Sequence, residues 1–317
     1  MIMNERKLTM HSIIVKKVYL FIAIFIIVTS ACNFSVNMEP TNPVPVPTNT
    51  LSQVIDIPTT TPEIFISLTQ AMPSTAISAT AQSVEVSVEP LRILLSPELA
   101  SGVRGSQIPR AEGQDLPYWE LTPGHTLLQL EGYRLQGKFI EPQIYIYPAL
   151  GYAEMFSGAF ESMHRLRNIM HDPSTAINVE QLPAVPFFNA AQVFASNFQV
   201  ISFQNGEGVR FLTEYAQYAA PVNNHELFYH FQGFSSDGEY YIVAILPITA
   251  PGLAETDNAG AAIPVGGIAY PDINDANADF QSYYAAVTAL LNATSPEAFT
   301  PSISQLDALI QSMQITP

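Results

Sequence analysis

The run His225-Glu226-Leu227-Phe228-Tyr229-His230 comes close to a zinc-binding helix motif, in which two histidines four residues apart share a face and the intervening glutamate activates water. Here the histidines are five residues apart. That spacing sets them about 140° apart round a helix, and on opposite faces of a strand. The neighbouring residues read as strand, so both histidines are assigned to structure. Asp272-Ile273-Asn274-Asp275-Ala276-Asn277-Ala278-Asp279 is rich in oxygen ligands. A calcium loop of EF-hand type needs glycine at its sixth position and glutamate at its twelfth. Counted from Asp275, those positions hold Phe280 and Ala286. The run is therefore expected to open a helix, its Asp and Asn side chains accepting from free amides. No metal and no cofactor is expected.

His164, Arg165 and Arg167, with His171 beyond them, form the one local basic cluster outside the N-terminus and are the candidate contact site. They break a strongly acidic chain, with 12 Lys+Arg against 28 Asp+Glu and a net charge of −16. That balance excludes a nucleic-acid partner, because displacing counterions from phosphates requires a basic face. Tyr145, Tyr147, Tyr240 and Tyr241 are a candidate aromatic surface for sugar, and equally ordinary strand packing. No GxSxG, P-loop or GxGxxG pattern is present, and no paired carboxylates stand in a recognisable glycosidase context. No catalytic residue is assigned.

The N-terminus carries an address. Arg6, Lys7, Lys16 and Lys17 precede an uncharged run from Val18 to Ala31. Fourteen apolar or small residues suit the core of a signal peptide and fall short of the ~20 needed to span a bilayer. The run ends in Thr29-Ser30-Ala31-Cys32, and Cys32 is the only cysteine. These residues resemble the lipobox of bacterial lipoproteins, with Thr29 where leucine is more usual. The resemblance implies cleavage after residue 31, lipidation of Cys32, and residence in the cell envelope on the extracytoplasmic face of the membrane. Removing residues 1–31 takes away four basic residues and one acidic residue, leaving 8 against 27. So acidic a chain is repelled by anionic headgroups, and the lipid must supply the membrane affinity.

Residues 32–90 read as a disordered stalk. After Cys32 they hold eight prolines, nine threonines and seven serines, with no glycine, lysine or arginine. Pro43-Val44-Pro45-Val46-Pro47 favours solvated polyproline II, and each residue before a proline is pushed away from helix. The apolar pieces at 64–66 and 84–88 lack neighbours to pack on. A single globular domain is expected over 91–317.

Within it, Leu127–Leu130, Gln143–Tyr147, Phe198–Phe203, Val209–Tyr215, Glu226–Phe234 and Glu239–Leu246 read as strands. The last four form an antiparallel meander, with turns at 205–208, whose two glycines admit positive φ, and at 235–238. Val209, Phe211, Thr213 and Tyr215 share one face. Helical stripes run through Phe156, Phe160, Met163, Leu166 and Met170, and through Phe280, Tyr283, Tyr284, Val287, Leu290 and Leu291. A third runs from Thr300 as N-cap and Pro301 through Ile303, Leu306, Ile310 and Met313. The fold class is α+β, an antiparallel sheet of about six strands with helices packed on its faces.

The Asp237-Gly238 hairpin before a long helix, with the closing helix Leu306-Asp307-Ala308-Leu309-Ile310-Gln311-Ser312, resembles the PsbP-like α/β/α sandwich over most of residues 120–315. The stretch from Asn178 to Ala195 departs from that pattern. The resemblance implies a binding or assembly module rather than an enzyme. The expected function is a membrane-anchored module without catalysis, its partner a small molecule, glycan or protein. The alternative is an extracellular hydrolase whose site is assembled from distant residues, with His225 or His230 meeting a carboxylate.

Overall fold

The computed structural model describes residues 82–173, 182, 188–258 and 260–316. Cys32, the expected signal peptide and the expected stalk up to residue 81 lie outside them. The chain divides between Ser74 and Thr75, and every described residue belongs to the second part.

In chain order the first strands are β1 (Val84–Val88), β2 (Leu91–Leu95), β3 (Gly102–Ile108), β4 (His125–Glu131) and β5 (Gln143–Pro148). Two helices follow, α1 (Ala149–Ala153) and α2 (Ser157–His171). The meander is β6 (Ala191–Phe203), β7 (Gly206–Ala216), β8 (Phe228–Ser235) and β9 (Tyr240–Pro247). Helices α3 (Phe280–Ala293) and α4 (Ile303–Gln311) and the short β10 (Gln314–Ile315) close the chain. Seven strands form an antiparallel sheet in the order β3-β4-β5-β9-β8-β7-β6, and β1-β2-β10 form a small second sheet. The α+β class with helices on an antiparallel sheet is thus observed.

Alternation along the central strands divides the core in two. Tyr241, Val243 and Ile245 of β9 pack with Ala159, Met163, Leu166 and Ile169 of α2. Ile242, Ala244 and Leu246 pack with Tyr283, Val287 and Leu291 of α3 and with Ile303, Leu306 and Ile310 of α4. Both faces of the sheet are covered, so β8 is buried at all eight residues. Each fully buried large apolar side chain contributes roughly 1.5–3 kcal/mol, which makes these two layers the principal source of stability.

Four expectations need correction. The domain starts before residue 91, because β1 pairs with β2 from Val84↔Leu95 to Val88↔Leu91, and Val86 and Val88 find the core neighbours they were expected to lack. In α2 the inward stripe is Ala159, Ser162, Met163, Leu166 and Ile169, and Phe160 is exposed. Phe160 falls about 100° round the helix from Ala159, off that stripe. Helix α4 is capped by Ser302, whose side chain accepts from the Gln305 amide, and not by Thr300. Finally, neither Gly206 nor Gly208 has positive φ. Gly208 lies opposite Gly233, and a Cβ on it would strike the Gln232 carbonyl, the Gly233 backbone and the Phe231 ring. Close strand approach, not turn conformation, requires glycine there.

Candidate functional site

Strand β7 turns Val209, Phe211, Thr213 and Tyr215 toward α2, as its alternation predicts. The period of two then sends Arg210, Leu212 and Glu214 to the face covered by α3 and α4. Glu214 is 0% exposed, a rare state for a carboxyl group. Its Oε2 accepts from the Asn223 amide at 3.1 Å, and among the described residues no donor faces its Oε1. Burial lifts this carboxyl to about 9, and the neighbouring Glu226 and Asp257 carboxylates push the same way. At neutral pH Glu214 is therefore protonated and donates to Glu226.

The buried pair Asn223-Asn224 builds the loop that brings Glu226 to this position. Asn223 Oδ1 accepts from the amides of His225 and Glu226 at 2.9 and 3.2 Å. Asn223 Nδ2 donates to the Pro221 carbonyl and, at 3.4 Å, to Glu226 Oε2. Asn224 donates to the carbonyls of Ala250 and Leu253 and accepts from the Ala250 amide, which fixes the loop after β9. Tyrosine hydroxyls from the helical layer finish the frame. Tyr283 accepts from the Val222 amide, Tyr284 donates to the Ala220 carbonyl, and Tyr270 donates to the Ala219 carbonyl.

Glu226 opens into a cavity of about 430 Å³ walled by Phe139, Ile140, Phe188, Tyr215 and Tyr218. Phe188 and Tyr215 stack with ring centroids 4.2 Å apart. Phe139 is set in place by its amide, which donates to the His225 carbonyl at 2.9 Å. The Tyr215 hydroxyl is buried and has no hydrogen-bond partner among the described residues. Tyr218 is 60% exposed, donates to Asp257 at 2.9 Å, and also lines a second cavity of about 580 Å³ with Leu253, Ile263, Tyr270, Ile273 and Tyr283. Exposed apolar and aromatic surface thus gathers where the half-buried Glu226, backed by the buried Glu214, meets solvent, the arrangement expected of a ligand site.

Apart from Glu226, the candidate residues singled out in the sequence lie elsewhere. His164, Arg165 and Arg167 are exposed on α2 and diverge round it. The His164 ring stacks near Phe160, and its Nδ1 lies 3.3 Å from Asn168 Nδ2. Arg167 lies over the Phe234 ring at 4.1 Å and, with His171, borders a groove of about 770 Å³ whose other wall holds Glu207 and Asp237. That groove is mixed in charge, and the structure does not bring the three cluster residues together on it. His230 is fully buried among Phe188, Phe211 and Phe228, 3.2 Å from Gln232 Nε2, and burial lowers it to about 3. Kept neutral and sealed from solvent, it does not act with the half-buried His225.

Asp279 caps α3 by accepting from the Ser282 amide, as expected of the acidic run, while Asp272 and Asp275 accept from the amides of Asn274 and Asn277. Among the described residues no three His, Cys, Asp or Glu side chains are grouped to hold a metal. Tyr147 and Tyr241 are core residues packed with Tyr152, which removes the candidate sugar-binding surface. Among the described residues no helix is long and apolar enough to cross a membrane.

Sequence reasoning missed Glu214, Asn223 and Asn224. The available signal was the second face of β7, where Arg210 and Glu214 occupy a strand whose sheet has helices enough to cover both faces. No protein-family model, curated protein or solved structure matches the chain.

Proposed function

We propose that this chain is a lipoprotein held through Cys32 on the extracytoplasmic face of the cell envelope, and that its globular part is a non-catalytic module binding a small ligand in the cavity beside Glu226. The observation that carries this reading is the buried Glu214 behind Glu226, joined to an aromatic-walled cavity. A protonated carboxyl held without solvent contact is costly to stability, and such costs are retained where a site uses them. Binding is favoured over catalysis by geometry. Glu214 exposes no surface to a reactant, whereas both carboxyl groups of a glycosidase must reach the scissile bond. The PsbP-like resemblance points the same way.

The test is fluorine nuclear magnetic resonance of the full chain carrying 3-fluorotyrosine, titrated with benzyl alcohol and with benzyltrimethylammonium. Saturable shifts at Tyr215 and Tyr218, with Tyr147 and Tyr241 unmoved, support the cavity as a binding site. Absence of such shifts with every aromatic probe overturns it. The anchor is tested separately with Cys32→Ser, which is expected to leave unprocessed precursor or to release protein from the membrane. Unchanged mass and membrane retention would remove the lipid from the account.

A further inference from the structure

We propose that the ligand of this cavity is an organic cation, an ammonium group carrying an apolar substituent, and that its binding expels the proton shared by Glu214 and Glu226. This rests on the reading of the cavity as a binding site and goes on to name the ligand's chemistry.

Three independent features of the site converge on a cation. The first is the walls, where Phe139 and Tyr218 are exposed rings beside the stacked Phe188–Tyr215 pair, and aromatic faces attract ammonium groups electrostatically. The second is charge. Among the described residues lining the cavity Glu226 is the charged side chain, Asp257 accepts from Tyr218, and the nearby cation Lys138 faces Glu255. An anionic ligand would find no counter-charge, whereas a cation would find two carboxylates and a chain of net charge −16 to draw it in. The third is the buried acid. Glu214 is fully buried, and among the described residues no donor reaches its Oε1. The pair therefore stores a proton in place of a counter-ion.

The groups facing Glu214 explain why a ligand is needed to release that proton. They are Glu226, Asp257, the Asn223 amide and the hydroxyl of Tyr283, with the hydroxyls of Tyr218 and Tyr284 farther off. Among these the Asn223 amide favours the ionised form, and the neighbouring carboxylates oppose it. A cation seated against Glu226 reverses the balance. The O–H bond of Glu214 breaks, its electron pair stays on the carboxylate, and the proton passes to buffer, leaving two carboxylates facing one bound cation.

The experiment is calorimetric titration of the full chain at pH 7 with benzyltrimethylammonium, benzyl alcohol and phenylacetate, each in two buffers of different ionisation enthalpy. The expected result is binding of the cation with net proton release, and weaker binding of the neutral and anionic probes. Glu226→Gln is expected to reduce affinity for the cation by about tenfold or more, as for loss of a charge-assisted contact. Glu214→Gln, a neutral isostere of the protonated group, is expected to keep the fold and abolish proton release. Equal binding of the alcohol and the cation, without proton release, overturns the cation inference and leaves the cavity as a binding site. Binding by none of the three probes overturns both. Proton release that persists in Glu214→Gln assigns the proton elsewhere and overturns the coupling.

Discussion

Arg210 and Glu214 stand on the same strand and the same face, about 13 Å apart by strand rise, and the fold treats their charges in opposite ways. Arg210 is 5% exposed and fully answered. Its Nε and Nη2 donate to the two oxygens of Asp307 on α4 at 3.1 and 2.9 Å, and it also donates to Gln199 and to the Asn197 carbonyl. Tyr229 completes the network by donating to Asp307 at 2.8 Å. Glu214 has one amide and another acid. The first end of the strand is thus a clamp that joins α4 to the sheet, and the second is a charge held neutral by its surroundings. A structural polar residue is satisfied within the chain; a residue left short by the chain has capacity for something outside it.

The clamp is the place where this comparison breaks most visibly. Asp307→Ala leaves the buried Arg210 guanidinium without its counter-charge, and the expected loss is about 3–5 kcal/mol. The double change Arg210→Met with Asp307→Leu is expected to recover most of that loss, because two apolar groups need no partner. Urea midpoints followed by circular dichroism decide the matter. If Asp307→Ala cost no more than the double variant, Arg210 would not be a clamp.

The other end of the strand answers to pH. Folding lifts Glu214 from its ordinary value of 4.5 to about 9, so within that window the folded state holds a proton that the unfolded chain has released. Stability must then fall as pH rises, by on the order of 3 kcal/mol between pH 4.5 and 7. Glu214→Gln removes this contribution. It is expected to match the native chain at pH 4 and to exceed it by a margin that widens from about pH 4.5 and levels off near pH 9, read from thermal midpoints across the range. Parallel curves for the two proteins would show that Glu214 carries a charge after all and would erase the contrast with Arg210.

Much of this architecture was legible in sequence, for identifiable reasons. The meander was readable because Phe228–Ser235 and Tyr240–Pro247 are apolar and separated by a turn ending in Gly238, whose φ is +76°. Val209, Phe211, Thr213 and Tyr215 were readable as one face because alternation is a local property. The function of the opposite face was not, because Arg210 and Glu214 on a strand look like solvent-facing charge until α3 and α4 are known to cover them. Their partners lie far along the chain: Asp307 is 97 residues from Arg210, and Asn223 and Glu226 reach Glu214 across a loop of irregular structure. The histidines drew attention by residue type, and burial removed His230 from consideration. β1 was missed because its register depends on β2, beyond the proline-rich segment that hides it.

Arg167 sharpens the comparison from the solvent side. It is a cation whose charge needs neither clamp nor proton, since its head is in water while its guanidinium covers the Phe234 ring at 4.1 Å. Phe234 is 4% exposed, partly because this side chain lies over it, so truncation removes a cation–π contact and wets the ring together. At an exposed position that contact is worth about 0.5–1 kcal/mol. Arg167→Ala is therefore expected to shift the urea midpoint only slightly, and Arg167→Lys to recover part of the shift, because a compact ammonium stacks less well than a planar guanidinium. The shift should be the same at pH 5 and pH 8, since nothing beside Arg167 is buried in the wrong charge state. A loss as large as that of Asp307→Ala would mean that α2 is clamped to the sheet through Arg167, and that the exposed basic cluster is structural in the same sense as Arg210.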